Sequence, residues 1–254
     1  MLMASRTDIG RVRLVNEDRA YIQHQLNGFE LAIIADGMGG HQAGDVASQM
    51  AIDFIARELQ QISLSMTFDE REKLVLSAIN TANGRIFQYA SEREIYQGMG
   101  TTVVVALAAE DQLLLAHIGD SRAYRVRGNE ITQLTIDHSL VNELVKSGQL
   151  TPEEAAHHPR RNVVTRALGT EATIEADIKT IQLDPEEIIL LCSDGLSNMI
   201  ESDDIVRIIH NGPNLEAAVD KLIHEALIAG GDDNITVVLM HNIDNAEWKR
   251  GDSE

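Results

Sequence analysis

The sequence predicts an α+β fold, a β-sandwich flanked by paired helices, on three observations. Five short runs are almost continuously apolar and rich in β-branched residues: Phe29 to Ala35, Thr102 to Leu107, Leu113 to Ile118, Ile188 to Cys192 and Ile235 to Met240. That is the pattern of strands buried on both faces. Other stretches place apolar residues at helical period instead. Helices come two in succession in two places, which a single crossover of a βαβ unit does not accommodate, so a doubly wound parallel sheet is disfavoured.

Taken in order, Ala20 to His24 and Phe29 to Ala35 read as the first strands. Ala43, Val46, Ala47, Met50, Ala51, Phe54 and Ile55 then share one helix face, and Val75, Ala78, Ile79, Ala82, Ile86 and Tyr89 share another. Three strands follow, at Thr102 to Leu107, Leu113 to Ile118 and Ala123 to Arg127. Asp137 to Gly169 reads as a small helical insert, a surface flap. Its first helix covers Leu140 to Lys146 and stops at Gly148. Its second starts at Thr151-Pro152-Glu153-Glu154, a capping box with proline at the first helical position. Strands at Ile174 to Ile181 and Ile188 to Cys192 come next. A short helix near Asp203 to His210 and a longer one on Leu215, Ala218, Val219, Leu222, Ile223, Ala226 and Leu227 precede the last strand. One domain is expected over residues 1–244, with the flap at 137–169 and a polar tail at 245–254.

Composition bounds the function. The chain has 254 residues, 44% hydrophobic, with 40 acidic residues against 21 basic ones for a net charge of −19. Such a chain is repelled by phosphate backbones and anionic lipid, which disfavours nucleic acid and membrane surfaces as partners. The single cysteine, Cys192, ends an apolar run, so a buried structural thiol is expected in a reducing compartment. No apolar stretch approaches the roughly 18 residues of a membrane span, and Met1 to Arg6 lacks a secretory apolar region. A soluble, cytoplasmic monomer is the expectation.

Carboxylates stand at the ends of five apolar strands. Asn16-Glu17-Asp18 leads into one, and Phe29 to Ala35 runs into Asp36-Gly37. Leu113 to Ile118 runs into Gly119-Asp120, and Ile188 to Cys192 into Ser193-Asp194-Gly195. Asp232-Asp233-Asn234 precedes the last strand. If those ends share one edge, the carboxylates converge and need divalent cations to offset their repulsion. All the donors are hard oxygens, which favours Mg²⁺ or Mn²⁺ over Zn²⁺ and suits a two-metal site. The competing reading is that these aspartates only make turns, for which Asp-Gly is a standard dipeptide.

The motifs in order resemble a known family. Thr7-Asp8-Ile9-Gly10, Arg13, Asn16-Glu17-Asp18, Asp36-Gly37-Met38-Gly39-Gly40-His41, Ala43-Gly44 and Ala47-Ser48 resemble the opening motifs of the metal-dependent serine/threonine protein phosphatases of type 2C. Gly98-Met99-Gly100-Thr101-Thr102, Gly119-Asp120-Ser121-Arg122-Ala123-Tyr124, Ser193-Asp194-Gly195-Leu196 and Asp233-Asn234-Ile235-Thr236 match the remaining motifs, so the resemblance covers nearly the whole chain. The flap, with Asp137-His138-Ser139-Leu140-Val141 and Gly148-Gln149-Leu150-Thr151, resembles the bacterial branch that opposes membrane-anchored Ser/Thr kinases. The resemblance implies an αββα sandwich of two mainly antiparallel sheets. It implies hydrolysis of phosphoserine and phosphothreonine on proteins by a metal-bridged hydroxide, and phosphorylated proteins, including a cognate kinase, as partners.

By the same resemblance Asp36 bridges two cations, Mn²⁺ or Mg²⁺. The Gly37 carbonyl ligates one, Asp194 and Asp233 complete the carboxylate set, and Glu17 and Asp18 act near them, partly through water. Asp120 with Asp194 holds a third cation. Asp233 is preferred over Asp232 because the family motif is Asp-Asn-Ile-Thr. Arg13 clamps the phosphoryl group, since a guanidinium donates two parallel hydrogen bonds and stays charged. For the general acid the sequence departs from the eukaryotic branch, where a histidine follows Asp-Gly directly and this chain has Met38. His41 is the candidate, with a metal-bound water as the alternative donor.

Other residues are assigned blander roles. Asp8 and Asp137 read as turn or cap residues, and Ser121 and Arg122 as supports of the Asp120 loop. Thr101 and Thr102 read as buried strand residues. His157, Arg160, Arg161 and Arg166 form a basic cluster on the flap, either a solvated face or a contact for a phosphoprotein. The Asn234-Ile235-Thr236 sequon carries no meaning without a secretory signal. The rival classes are a phosphatase-fold binding module that has lost catalysis, a metal-dependent nuclease and an acidic calcium-binding protein. They are disfavoured, in turn, by the intact acidic set with Arg13, by the absence of a broad basic groove, and by the absence of an EF-hand loop.

Overall fold

The computed structural model describes residues 1–39 and 43–243. Two sheets pack face to face. The first has strand order β1 (Leu2–Asp8), β11 (Ile235–His241), β10 (Ile188–Cys192), β7 (Arg122–Arg127) and β8 (Glu130–Gln133). The second runs β2 (Asp18–Leu26), β3 (Phe29–Met38), β5 (Val103–Ala109), β6 (Gln112–Ile118) and β9 (Asp177–Gln182), with β4 (Gly100–Thr101) paired to the end of β3. Every pairing among the described strands is antiparallel.

Alternation along each buried strand builds the layers, because successive side chains point to opposite faces. In β3, Leu31, Ile33 and Ala35 join a core with helices α1 (Ala43–Glu58) and α2 (Phe68–Ser91). Ala32 and Ile34 face the other way and meet Met3, Ile189, Leu191, Val238 and Met240 of the opposite sheet. On the far side, Leu190, Val237 and Leu239 pack under α6 (Ser202–Asn211) and α7 (Leu215–Ala229). These three cores separate four layers in the order helices, sheet, sheet, helices, the αββα sandwich expected.

The flap contains α3 (Leu140–Lys146) and α4 (Pro152–Ala156), the second opened by the Thr151–Glu154 capping box. A four-residue helix, α5 (Asp194–Ser197), follows β10 directly.

Three pairings go beyond the sequence expectation. β1 was not anticipated: Ser5, Arg6 and Thr7 break its apolar run, yet it pairs with β11 along its whole length. β8 is a short exposed edge strand with almost no apolar signal. The run expected from Thr102 begins at Val103, and Gly100 and Thr101 form a separate short pairing with the end of β3, whose earlier residues pair with β5. The strand expected from Ile174 starts at Asp177, where pairing with β6 begins.

Candidate metal centre

The strand ends named by the sequence meet at one edge of the sandwich. Asp18 opens β2 and stands directly opposite Asp36 of β3 in the register. Like charges opposed across a ladder are destabilising, so this pair needs compensation from outside the two strands. Asp120 lies between β6 and β7, on the connection that crosses from one sheet to the other. Asp194 opens α5 and Asp233 immediately precedes Asn234 and β11.

The backbone at Asp36 is fixed on both sides. Its N–H donates to Thr102 Oγ1 at 3.0 Å, and its carbonyl accepts from Thr102 N and Thr101 Oγ1, both at 2.9 Å. The buried threonines expected only to fill a strand therefore hold the central carboxylate in place. Thr102 Oγ1 also shares a 2.8 Å hydrogen bond with Ser121 Oγ, which ties the Asp120 loop to Asp36. Gly37 lies against the first turn of α1: a Cβ there would sit 2.1 Å from the Gly44 carbonyl oxygen and 2.7 Å from that of Glu17. Only glycine permits that approach.

The charges of neighbouring carboxylates act on Asp18, Asp36, Asp120 and Asp194 together. Burial pushes Asp36 well above the usual carboxylate range, and the charges of Asp18, Asp194, Asp120 and Asp233 push it further. Burial, with Asp194 and Asp233, raises Asp18 to about 7 against the lowering effect of hydrogen bonds from Ser193 and Thr236. Burial and Asp194 raise Asp120 to about 7, and burial and Asp233 raise Asp194 to about 6. Asp18 Oδ2 accepts from Ser193 Oγ at 2.7 Å, but its buried Oδ1 has no hydrogen-bond partner. A buried carboxylate oxygen without a donor, among four other carboxylates, fits a divalent cation or the water held by one.

Glu17 is raised mainly by burial, and its Oε1 accepts the Gly44 N–H at 3.1 Å, so the side chain also anchors the start of α1. Arg13 is half-exposed and donates from Nη2 to Asp233 Oδ2 at 2.6 Å. Burial would lower its pKa, but Asp233, Glu17 and Asp194 outweigh that and raise it. The expected phosphate clamp and an expected metal ligand are thus in direct contact, which no local spacing announced. Asp232 is exposed beside them. His41 lies outside the described residues.

The residues given blander roles largely keep them. Asp8 Oδ1 accepts the Gly10 N–H at 2.8 Å, a local turn. Arg122 grips Asp137 through Nε and Nη2, the shortest contact being 2.7 Å. Burial would lower the Arg122 pKa, but Asp137 more than compensates. This pair fixes the base of the flap next to Asp120. His157, Arg160, Arg161 and Arg166 are exposed or nearly so. Cys192 is buried and burial pushes its thiol up to about 12, so it is inert as a nucleophile.

Two features escaped the sequence reading. Asn234 staples the loop from Ile9 to Glu17: its Nδ2 donates to the carbonyls of Ile9 and Val15, and its Oδ1 accepts from Glu17 N. The second is a cluster of His117, His138 and Asp177, whose ligand atoms lie within 4.8 Å of one another. The two imidazoles stack, 4.9 Å between centroids. His138 Nδ1 accepts the Gly119 N–H at 3.2 Å, so the neutral ring carries its proton on Nε2, towards Asp177. That nitrogen is a donor rather than a free lone pair, and the cluster reads as a hydrogen-bonded link between flap and sheet. Strand register places His117 opposite Asp177, but nothing in the spacing of three residues on β6, the flap and β9 announced their meeting.

Comparison with known proteins follows the same path. The family model described as Protein phosphatase 2C matches residues 10–225. Protein phosphatase PhpP of Streptococcus pneumoniae is 42% identical over 244 residues, covering 95% of this chain and 98% of that protein. The serine/threonine phosphatase of S. agalactiae superposes with a TM-score of 0.89 at 39% identity, covering 94% of this chain and 98% of that one. The catalytic domain of the serine/threonine protein phosphatase PstP, solved with two manganese ions, gives a TM-score of 0.83 at 35% identity over 96% of this chain and 98% of its own.

Proposed function

The chain belongs to the protein phosphatase 2C family and is a metal-dependent serine/threonine phosphatase; on that premise we propose how its residues divide the work. Asp36 and the Gly37 carbonyl, with Asp194 and Asp233, hold two Mn²⁺ or Mg²⁺ ions, and Asp120 with Asp194 holds a third. Glu17 and Asp18 support the ions from the rim, in part through water. The two manganese ions in the PstP catalytic domain support the pair at the core and leave the third as part of the proposal. Bound there, the cations supply a water acidic enough to attack phosphorus near neutral pH.

The chain's own residues do the rest. Thr101 and Thr102 fix the Asp36 backbone, Ser193 fixes Asp18, and Asn234 fixes the loop that carries Arg13. Arg13 orients the phosphoryl group and stabilises the charge that builds on its oxygens, a contribution that depends on being held in place beforehand. Its present partner, Asp233, belongs to the proposed ligand set, so a cation held by Asp233 would compete with Arg13 for that carboxylate and leave the guanidinium available to phosphate. His41 or a water protonates the leaving alkoxide.

The substrates are phosphorylated proteins, among them a membrane-anchored Ser/Thr kinase that the enzyme opposes. It works as a monomer in the cytoplasm, and no helix among the described residues is long and apolar enough to cross a membrane. Residues 1–244 act as one domain, with the flap at 137–169 alongside the site and a polar tail at 245–254.

One observation carries the assignment of the ligands: four buried aspartates, Asp18, Asp36, Asp120 and Asp194, all raised by burial and neighbouring carboxylates, around an oxygen of Asp18 with no donor. The test is phosphate release from a phosphothreonine peptide with Mn²⁺ and with chelator, wild type beside Asp194→Ala. Release that requires Mn²⁺ and vanishes in the variant supports the assignment. Release by Asp194→Ala at the wild-type rate would remove Asp194 from the ligand set.

A further inference from the structure

The loop from Ile9 to Glu17 carries Arg13, and it is held at many points. Gly10 N donates to Asp8, Arg11 N to the Gly231 carbonyl, Arg11 Nε to the Leu227 carbonyl, and Asn234 bridges both ends. A loop this well tied has no need to leave apolar side chains in water. Yet Ile9, Val12 and Leu14 account for three of the nine exposed large apolar side chains among the described residues. Val12 is 62% exposed and Leu14 is 94% exposed, the highest value of the nine. Isolated exposed apolar residues are ordinary. Two that bracket the phosphate-binding arginine on a fixed loop, in a chain of net charge −19, form a distinct feature of the rim.

We infer that Val12 and Leu14 form an apolar rest for the substrate residues flanking the phosphoserine or phosphothreonine, so that the enzyme selects phosphorylated segments with apolar neighbours. The inference rests on the phosphatase reading and on Arg13 as the phosphate clamp. Three features support this occupant. The pair is continuous with the phosphate contact, so a chain whose phosphoryl group reaches Arg13 passes over its neighbours in the loop. The chain as a whole carries a net charge of −19, which disfavours strongly acidic phosphorylated segments as the occupant. The loop is set in advance by its hydrogen bonds, so docking on it costs little ordering.

The test uses the full chain with Mn²⁺ and two phosphothreonine peptides of equal charge, one with Leu and one with Ser on either side of the phosphothreonine. Wild type is expected to favour the Leu peptide by about tenfold in kcat/KM, with the difference carried by KM, the scale of one buried aliphatic side chain. In Val12→Ser/Leu14→Ser the ratio falls to near one, and Leu14→Met alone keeps most of it. A wild-type ratio near one, or a ratio unchanged in the double variant, overturns the inference. So does a wild type that sediments as a dimer and a double variant that sediments as a monomer with the same ratio, since the patch would then seat a second copy of the chain. Wild-type hydrolysis of p-nitrophenyl phosphate separates the two levels. If it is absent, the phosphatase reading fails and takes the inference with it; if it is present with an equal ratio, only the apolar rest fails.

Discussion

Ser193 Oγ donates a 2.7 Å hydrogen bond to Asp18 Oδ2 while accepting the Thr236 N–H at 2.9 Å. Asp18 belongs to one sheet and Thr236 to the other, and Ser193 directly follows β10 of that second sheet. The hydrogen bond is buried, and it reaches a carboxylate whose other oxygen has no donor. Ser193→Ala should therefore lower the stability of the chelated protein by about 1–3 kcal/mol, the cost of leaving a buried acceptor unsatisfied. Urea denaturation in chelator measures it, and an unchanged midpoint would show that the hydrogen bond contributes nothing. Added Mn²⁺ should recover part of the loss.

The raised carboxylates give a pH dependence with a definite sign. Asp18 and Asp120 titrate near 7 and Asp194 near 6 in the folded protein, against a usual aspartate value of 3.8. Between those limits the folded state binds more protons than the unfolded one, so metal-free stability falls as pH rises through that window. Asp120→Asn should remove part of the slope and gain on the order of 1–2 kcal/mol over the chelated wild type at pH 8. Chemical denaturation at pH 5 and pH 8 in chelator checks this; equal stabilities of the two proteins at pH 8 would contradict it.

Loss of the central ligand should be far more severe than loss of the clamp. Asp36→Ala is expected to reduce kcat by a factor on the order of 1,000 or more, because the cations and the water they activate both depend on it. Arg13→Ala should lower kcat/KM for a phosphopeptide by about tenfold or more through both KM and kcat, and Arg13→Lys should recover little of it because an ammonium cannot make two parallel hydrogen bonds. Steady-state kinetics with saturating Mn²⁺ separates the two. Near-native turnover by Asp36→Ala would remove it from the centre of the site.

Gly119 turns the chain into Asp120 with φ at +106°, and a Cβ there would lie 2.5 Å from the Thr102 side chain. Gly119→Ala combines backbone strain with that clash and should cost about 2 kcal/mol or more. It should also displace Thr102, and with it the backbone of Asp36. Thermal melting and Mn²⁺ titration of the variant test both effects, and a fully stable variant with wild-type Mn²⁺ affinity would show that the close approach is not needed.

The layers were legible because both-face burial writes nearly pure apolar runs and the helices write a 3.6 period. β1 was not legible: its Ser5, Arg6 and Thr7 hide a strand whose partner, β11, lies at the other end of the chain. The carboxylates were legible because aspartate ends an apolar strand without helping it fold. What binds them was not, since Ser193 to Asp18, Asn234 to Ile9 and Arg13 to Asp233 all join residues far apart in sequence. Asn234 shows the limit most clearly. Its side chain holds the loop from Ile9 to Glu17 through three hydrogen bonds, each to a residue more than 200 positions away.

The distribution of the aspartates over the two sheets has a mechanical consequence. Asp18 and Asp36 ride on one sheet, Asp233 abuts β11 and Asp194 follows β10 of the other, and Asp120 sits on the strap between them. Any sliding of one sheet across the other shears this constellation first, because its members move in opposite directions while each sheet stays intact. Cations held there, as proposed, would act as rivets at the open end of a two-leaf spring. Catalytic geometry and the stiffness of the sandwich along its seam are then one property, and amide exchange at Asp18, Ser193 and Thr236 would report both.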